Sequence, residues 1–190
     1  MSRRSFRPSR RRRGPAWLLA ALLAATAAGA MLASDPQGGR TAAAEAETPP
    51  AADRLEGLGR VVDGDTLDVG RVRVRLHGVD AFERGQVCDL PTGAWPCGAV
   101  ATTALKARAE GRRLVCEVRD TDRYGRKVSR CEGGGVDVAR ALVDDGLALA
   151  YRRYSADYID AEESARARRA GAWAGSFDRP EQWRRRGRRD

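Results

Sequence analysis

The chain has 190 residues, room for one domain with a real core but not for two domains plus tails. Its formal charge of +9 at pH 7 invites a nucleic-acid reading, yet the excess sits at the ends: residues 1–15 hold seven Arg and no acid, and residues 179–190 hold six Arg against Glu181 and Asp190. Residues 51–178 balance 21 basic against 21 acidic side chains, so any anion site has to be built locally.

In chain order, "SRRSFRPSRRRR" is a positive n-region, and "AWLLAALLAATAAGAMLA", residues 16–33, is an apolar run. This is the layout of an export signal, with Ala28-Gly29-Ala30 and Ala44-Glu45-Ala46 as small-x-small cleavage candidates. At 18 residues the run also reaches the lower limit for a spanning helix, so residues 1–33 are expected to be a cleaved signal peptide or an uncleaved membrane anchor. Either way the domain is expected to be extracytoplasmic: periplasmic, secreted, or anchored to the inner membrane and facing outward. Ser2-Arg3-Arg4-Ser5-Phe6 also resembles a twin-arginine export motif. Residues 34–54 are rich in Ala, Gly and Pro and read as a disordered linker.

The folded domain is expected over residues 55–178. "LGRVV" reads as a strand, "DGD" as a turn and "TLDVG" as a second strand. In "RVRVRLHGV", Val72, Val74 and Leu76 alternate with Arg71, Arg73, Arg75 and His77, so residues 58–79 are expected to form a three-stranded meander. "FERGQVCDLPTGAWPCG" has the Pro, Gly and Cys content of a stapled loop. Residues 98–113 read as a helix, with Val100, Ala104, Leu105 and Ala107 near one face and Gly111 close to its end. "RLVCEV" and "RKVSRC" are strands flanking "RDTDRYG". A short helix ending at Gly146 follows. A third helix starts from Ser155 as N-cap and runs from acidic to basic, and residues 179–190 read as a solvated basic tail. A meander, a helix, further strands and more helices suit an α+β, mainly β domain: a five-stranded OB-fold barrel with three helices.

Cys88, Cys97, Cys116 and Cys131 are even in number and fit an exported protein. Zinc is disfavoured by the absence of any CxxC pair and by a single histidine, His77. Four cysteines allow three pairings. Cys88–Cys97 with Cys116–Cys131 is the preferred one, because the second pair lies equally far on either side of the turn at Arg123-Tyr124. A bridge closing about 15 residues is worth roughly 3 kcal/mol in the loop-entropy model.

A lone histidine and the lack of a G-x-S-x-G run argue against a nucleophile–base triad. Carboxylates are the better candidates: Asp63, Asp65 and Asp68 in "VVDGDTLDV", and Asp80 and Glu83 in "GVDAFE". Asp65 at the mouth of the first hairpin and Asp80 at the end of the third strand fall at one end of the meander. Two carboxylates there repel each other unless a cation sits between them, and hard oxygen donors select Ca²⁺ or Mg²⁺. With so few protein ligands, binding should be weak, of the order of 10⁻⁴–10⁻³ M. The plainer reading is a turn and a strand end. Arg75, on the same strand as Asp80, and Arg126, after the turn at Gly125, could bind phosphate oxygens. A spare carboxylate could then activate water.

"DGDT", "RLHGVDAFE", "DRYGR" and "GLALAYRRY", in that order, resemble the staphylococcal-nuclease-like (thermonuclease) family over about residues 56–175. The resemblance implies an OB barrel with three helices and a Ca²⁺-dependent nuclease acting on DNA and RNA, with Mg²⁺ as a possible substitute. It implies that Asp65, Asp80 and the carbonyl of Ala81 bind the metal. Glu83 would be the general base, and Arg75 and Arg126 would stabilise the transition state. Arg123, Tyr124 and Tyr151 would line the nucleotide site. Where the family commonly has proline, this chain has Phe82. The restraint a proline puts on residue 81 is then missing, and the stapled loop at Cys88–Cys97 is the expected substitute.

The competing reading is a non-catalytic module, the same barrel holding nucleic acid or an envelope protein without cleaving it. The sequence implies no obligate protein partner and suits a monomer.

Overall fold

The first strands form the expected meander. β1 (Arg54–Val61) pairs antiparallel with β2 (Thr66–Val69), and β2 pairs with β3 (Val72–Leu76). Gly70 turns the second hairpin with φ +60°, a conformation glycine adopts without steric cost. β1 also pairs with β7 (Arg113–Thr121), β7 pairs with β8 (Lys127–Gly133), and β8 runs parallel to β3 to close the ring. Leu67, Val74, Leu76 and Leu114 fill it and are fully buried. The β7–β8 register sets Cys116 directly opposite Cys131, and these two form a disulfide. A two-residue strand, β9 (Val136–Asp137), extends β8. The computed structural model describes residues 54–187. The expected signal or anchor, nearly all of the linker and the last three residues of the chain lie outside the described residues.

The third alternating run does not continue to Val79. Gly78 takes φ +70°, the chain turns at His77-Gly78, and β4 (Val79–Ala81) leaves the barrel to pair with β10 (Ala148–Ala150). Asp80 therefore sits in the middle of a separate short strand, not at the end of β3.

Helix α1 (Cys97–Ala109) stops four residues short of the expected end. Glu110 is already extended, and its carboxylate accepts the Val61 N–H at 2.7 Å, tying the helix end to β1. Its buried stripe is Ala101, Leu105 and Ala109, while Ala107 faces solvent. α2 (Val138–Asp144) ends as expected, with Gly146 at φ +68°. α3 (Ile159–Ala167) starts later than expected: the Ser155 hydroxyl accepts the Asp157 N–H in a local turn and caps nothing. The basic tail is not simply solvated. Residues Pro180–Arg186 form α4, started by a buried proline at its first turn, so the described residues hold four α-helices rather than three.

A second, smaller core lies beside the barrel. Phe82, Cys88, Cys97, Leu149 and Ala172 are buried there, with Trp95, Trp173 and Phe177 packed against them. The Cys88–Cys97 disulfide links β5 (Cys88–Leu90), which pairs with β6 (Gly93–Trp95), to the start of α1. Phe82 meets Phe177 edge to face with ring centres 5.1 Å apart. The Phe82 ring is thus an anchor for the C-terminal segment. Among the described residues, no helix is long and apolar enough to cross a membrane.

Candidate active site

The turn between β1 and β2 presents Asp65. The Asp65 N–H donates to Asp63 Oδ1 at 3.2 Å, an Asx-type turn that aims the next carboxylate inward. β4 brings Asp80 from the other side. Both are almost fully buried, 7 % and 4 % exposed. Arg75 lies between them: Nη1 reaches Asp65 Oδ1 at 2.8 Å, and Nη2 reaches Asp80 Oδ1 at 3.3 Å. Asp65 Oδ2 also accepts the Ala81 N–H at 3.4 Å, and Asp65 Oδ1 accepts the Thr66 hydroxyl at 3.1 Å. Asp68 takes no part. It pairs across the sheet with Arg60 and Arg73, as their register requires.

Burial pushes the Asp65 carboxyl up to about 6. Arg75 pulls it down, and the negative charges of Asp63 and Asp80 push it up again. Burial works against the charge of Arg75, but Asp65 and Asp80 outweigh it and hold the guanidinium above its ordinary range. Asp65 and Asp80 are thus two buried carboxylates that share one guanidinium. Hard oxygen donors of this kind suit a hard divalent cation. Among the described residues no group of three or more His, Cys, Asp or Glu is arranged to hold a metal ion, so most of the cation's ligands would be water and substrate.

Glu83 stands at the rim and is placed firmly. Its N–H donates to Gln86 Oε1 at 3.2 Å, and its carbonyl accepts the Gln86 N–H at 2.7 Å. Gln86 is fully buried, and its amide donates to the Asp178 carbonyl at 2.7 Å. Gly98 at the start of α1 passes so close that an added Cβ would lie 1.5 Å from the Glu83 carbonyl oxygen. This buried glutamine and the start of α1 thus fix the backbone of Glu83, one residue after Phe82.

A residue absent from the sequence reading completes the cluster. Arg184 of α4 grips Asp80 with both prongs, Nη1 to Oδ1 at 2.9 Å and Nη2 to Oδ2 at 3.1 Å, and Nη1 also meets Glu83 Oε1 at 2.6 Å. Burial opposes the charge of Arg184, but the bonds to Asp80 and Glu83 prevail and stabilise it. The available signal was "DRPEQW", where Pro180 suits a helix start. Reading residues 179–190 as solvated concealed it.

Arg126 is not brought into contact with these carboxylates. Its Nε is tied to Asp122 Oδ2 at 2.7 Å, within the turn that joins β7 to β8. Arg126 and Arg123 both lie over the ring of Tyr124, 5.5 and 4.8 Å from its centre, and Tyr124 is largely exposed. The pairing Arg75↔Val128 sets this turn close along the chain from Arg75's strand. Tyr151 and Asp80 line a cavity of about 320 Å³, together with Arg152, Arg153, Arg179 and Arg185. Burial, with the Asp80 charge nearby, raises the Tyr151 phenol.

A barrel that gathers buried carboxylates, a rim glutamate and a strand arginine, with a second arginine in the turn before the adjoining strand, has the chemistry of a cation-and-phosphate site. The family profile "Staphylococcal nuclease homologue" matches residues 73–175, more than half of the chain, and the chain belongs to that family. It is 38 % identical over 127 residues to the succinoglycan biosynthesis protein ExoI of Rhizobium meliloti (strain 1021), covering 65 % of this chain and 66 % of that protein. It is 34 % identical over 125 residues to the probable staphylococcal-like nuclease CAN1 of Oryza sativa subsp. japonica, covering 64 % and 35 %. Against Protein ParB of Escherichia coli the identity is 33 % over 144 residues, covering 66 % and 76 %. The chain thus spans just under two thirds of the first of these relatives and about a third of the second.

Proposed function

We propose that this chain is an exported nuclease that hydrolyses phosphodiester bonds of DNA and RNA with the help of Ca²⁺, Mg²⁺ being the alternative ion. The observation that carries the reading is one cluster built from separate stretches of chain, in which Arg75 joins Asp65 to Asp80 and Arg184 joins Asp80 to Glu83. Family membership and a relative named as a nuclease support it.

When bound by Asp65 and Asp80, a divalent cation would neutralise a phosphate oxygen. Arg75 offers N–H groups already oriented beside both carboxylates, where they can bind a further phosphate oxygen as its charge grows. Arg126 reaches a phosphate only after exchanging Asp122 for it. Glu83 holds an oxygen at the rim that can take a proton from water once Arg184 shares it less. Tyr124, with Arg123 and Arg126 against it, offers an exposed face on which a base can stack. No base-reading group follows from this arrangement, which fits action on both DNA and RNA. Export rests on the leader-like sequence at residues 1–33 and on two disulfides, which persist in oxidising surroundings.

The test is incubation of the oxidised protein with single-stranded DNA, duplex DNA and RNA in millimolar Ca²⁺, Mg²⁺ or EDTA, beside Glu83→Gln and Arg126→Ala. The expected result is metal-dependent cleavage that falls at least a hundredfold in each variant, the scale on which single transition-state groups act. Nucleic-acid binding without cleavage under every condition would make the barrel a binding module instead.

A further inference from the structure

The chain returns to the site after α3. Asp89 and Ser176 exchange backbone hydrogen bonds of 2.9 and 2.8 Å, so the segment runs along the β5–β6 hairpin. Gly175 passes so close that an added Cβ would lie 1.9 Å from the Asp89 carbonyl oxygen. Phe177 then packs on Phe82, and Gln86 holds the Asp178 carbonyl. From this fixed base α4 carries Arg184 onto Asp80 and Glu83.

Both Asp80 oxygens are covered as a result. Oδ1 receives Arg75 and Arg184 at 3.3 and 2.9 Å, and Oδ2 receives Arg184 at 3.1 Å. A guanidinium fork and a divalent cation use the same oxygen lone pairs. They also answer the same need, since two bare carboxylates this deeply buried would be costly.

We propose that Arg184 is an internal counter-ion: it occupies Asp80 and Glu83 in the metal-free protein and yields at least one Asp80 oxygen when a divalent cation binds. This rests on the reading of Asp65 and Asp80 as metal ligands. The arm stays docked through Phe177 and Gln86, so the guanidinium is always at hand to compete. The site then loads only where the cation is abundant. Arg184 also covers Glu83, so a single side chain keeps both a ligand and the base occupied until the cation arrives.

Calorimetric titration of Ca²⁺ into the oxidised full chain tests this without any substrate. Arg184→Gln should bind Ca²⁺ about tenfold more tightly than the parent protein, the scale of one charge-assisted hydrogen bond. Phe177→Ala keeps the arginine but loosens its base, and should shift the affinity in the same direction. It asks the same question should Arg184→Gln fail to fold, which a thermal melt reports. Equal or weaker binding in both variants overturns the counter-ion role and leaves the metal site standing. Asp80→Asn should lose binding in either background. If it binds like the parent, or if no protein binds Ca²⁺, the metal assignment itself has failed, and the counter-ion role with it.

Discussion

Arg75, on β3, and Arg126, in the turn that leads into the strand paired with β3, carry the same group and are held in opposite ways. Arg75 is gripped by carboxylates from two distant elements, the β1–β2 turn and β4. Arg126 is gripped by Asp122, four residues earlier in its own turn. Burial pushes the Asp122 carboxyl up, but hydrogen bonds from the Arg126 side chain and from the backbone of Arg126 and Tyr124 outweigh it and hold the carboxyl below the usual range. The first arginine is positioned by the fold, so it is part of what keeps the fold electrically balanced. The second is positioned by local geometry, so it can leave for a phosphate without disturbing the barrel.

Replacing Arg75 should break this contrast most severely. Arg75→Ala leaves Asp65 and Asp80 facing each other with less countercharge, and the cost of stripping a partner from buried charges is about 3–5 kcal/mol. Urea unfolding of the metal-free protein measures it, and millimolar Ca²⁺ should restore part of the loss. A smaller effect comes from Asp65, whose carboxyl lies at about 6 in the folded chain, above its ordinary value of 3.8. The folded state holds that proton more tightly, so the group's stabilising contribution is complete below about pH 4. It is lost as pH rises towards and through 6. Metal-free stability should therefore carry a downward slope between those values, absent in Asp65→Asn, while Ca²⁺ affinity should rise over the same interval. The smallest effect on stability belongs to Arg126→Ala. Its partly exposed pair with Asp122 is worth about 1 kcal/mol or less, so unfolding should scarcely change while cleavage collapses. Equal destabilisation by the two alanine variants would end the distinction between an arginine held by the fold and one held by its turn.

Much of this was legible in the residues because it is local. Strict alternation from Arg71 to Leu76 marked β3, Gly146 marked the end of α2, and even spacing about Arg123-Tyr124 marked the Cys116–Cys131 bridge. The family pattern pointed to Asp65, Arg75, Asp80 and Glu83, and the fold brings these together. What escaped was long-range. Nothing near His77 announced that Gly78 would turn β4 out of the barrel to pair with β10. Arg184 is 101 residues from Glu83 in sequence, and in a tail with six arginines no local rule marks Arg184 as one that reaches Asp80 and Glu83. The anchoring role of Phe82 gave no sign in the sequence because its partner, Phe177, lies far along the chain.

The Cys116–Cys131 bridge has a mechanical consequence for the two arginines. β8 is paired with β7 on one side and with β3 on the other, where Val128 faces Arg75. The bridge pins β8 against β7 at a single pair of positions, so β8 cannot slip by a residue and carry Lys127 and Val128 past β3. Arg126 is the residue just before that strand. The position of Arg126 along β3 is thus fixed by a covalent pin at the far end of the hairpin. A reduced protein that stays folded would keep its carboxylates in place while losing the covalent lock on the strand that follows Arg126.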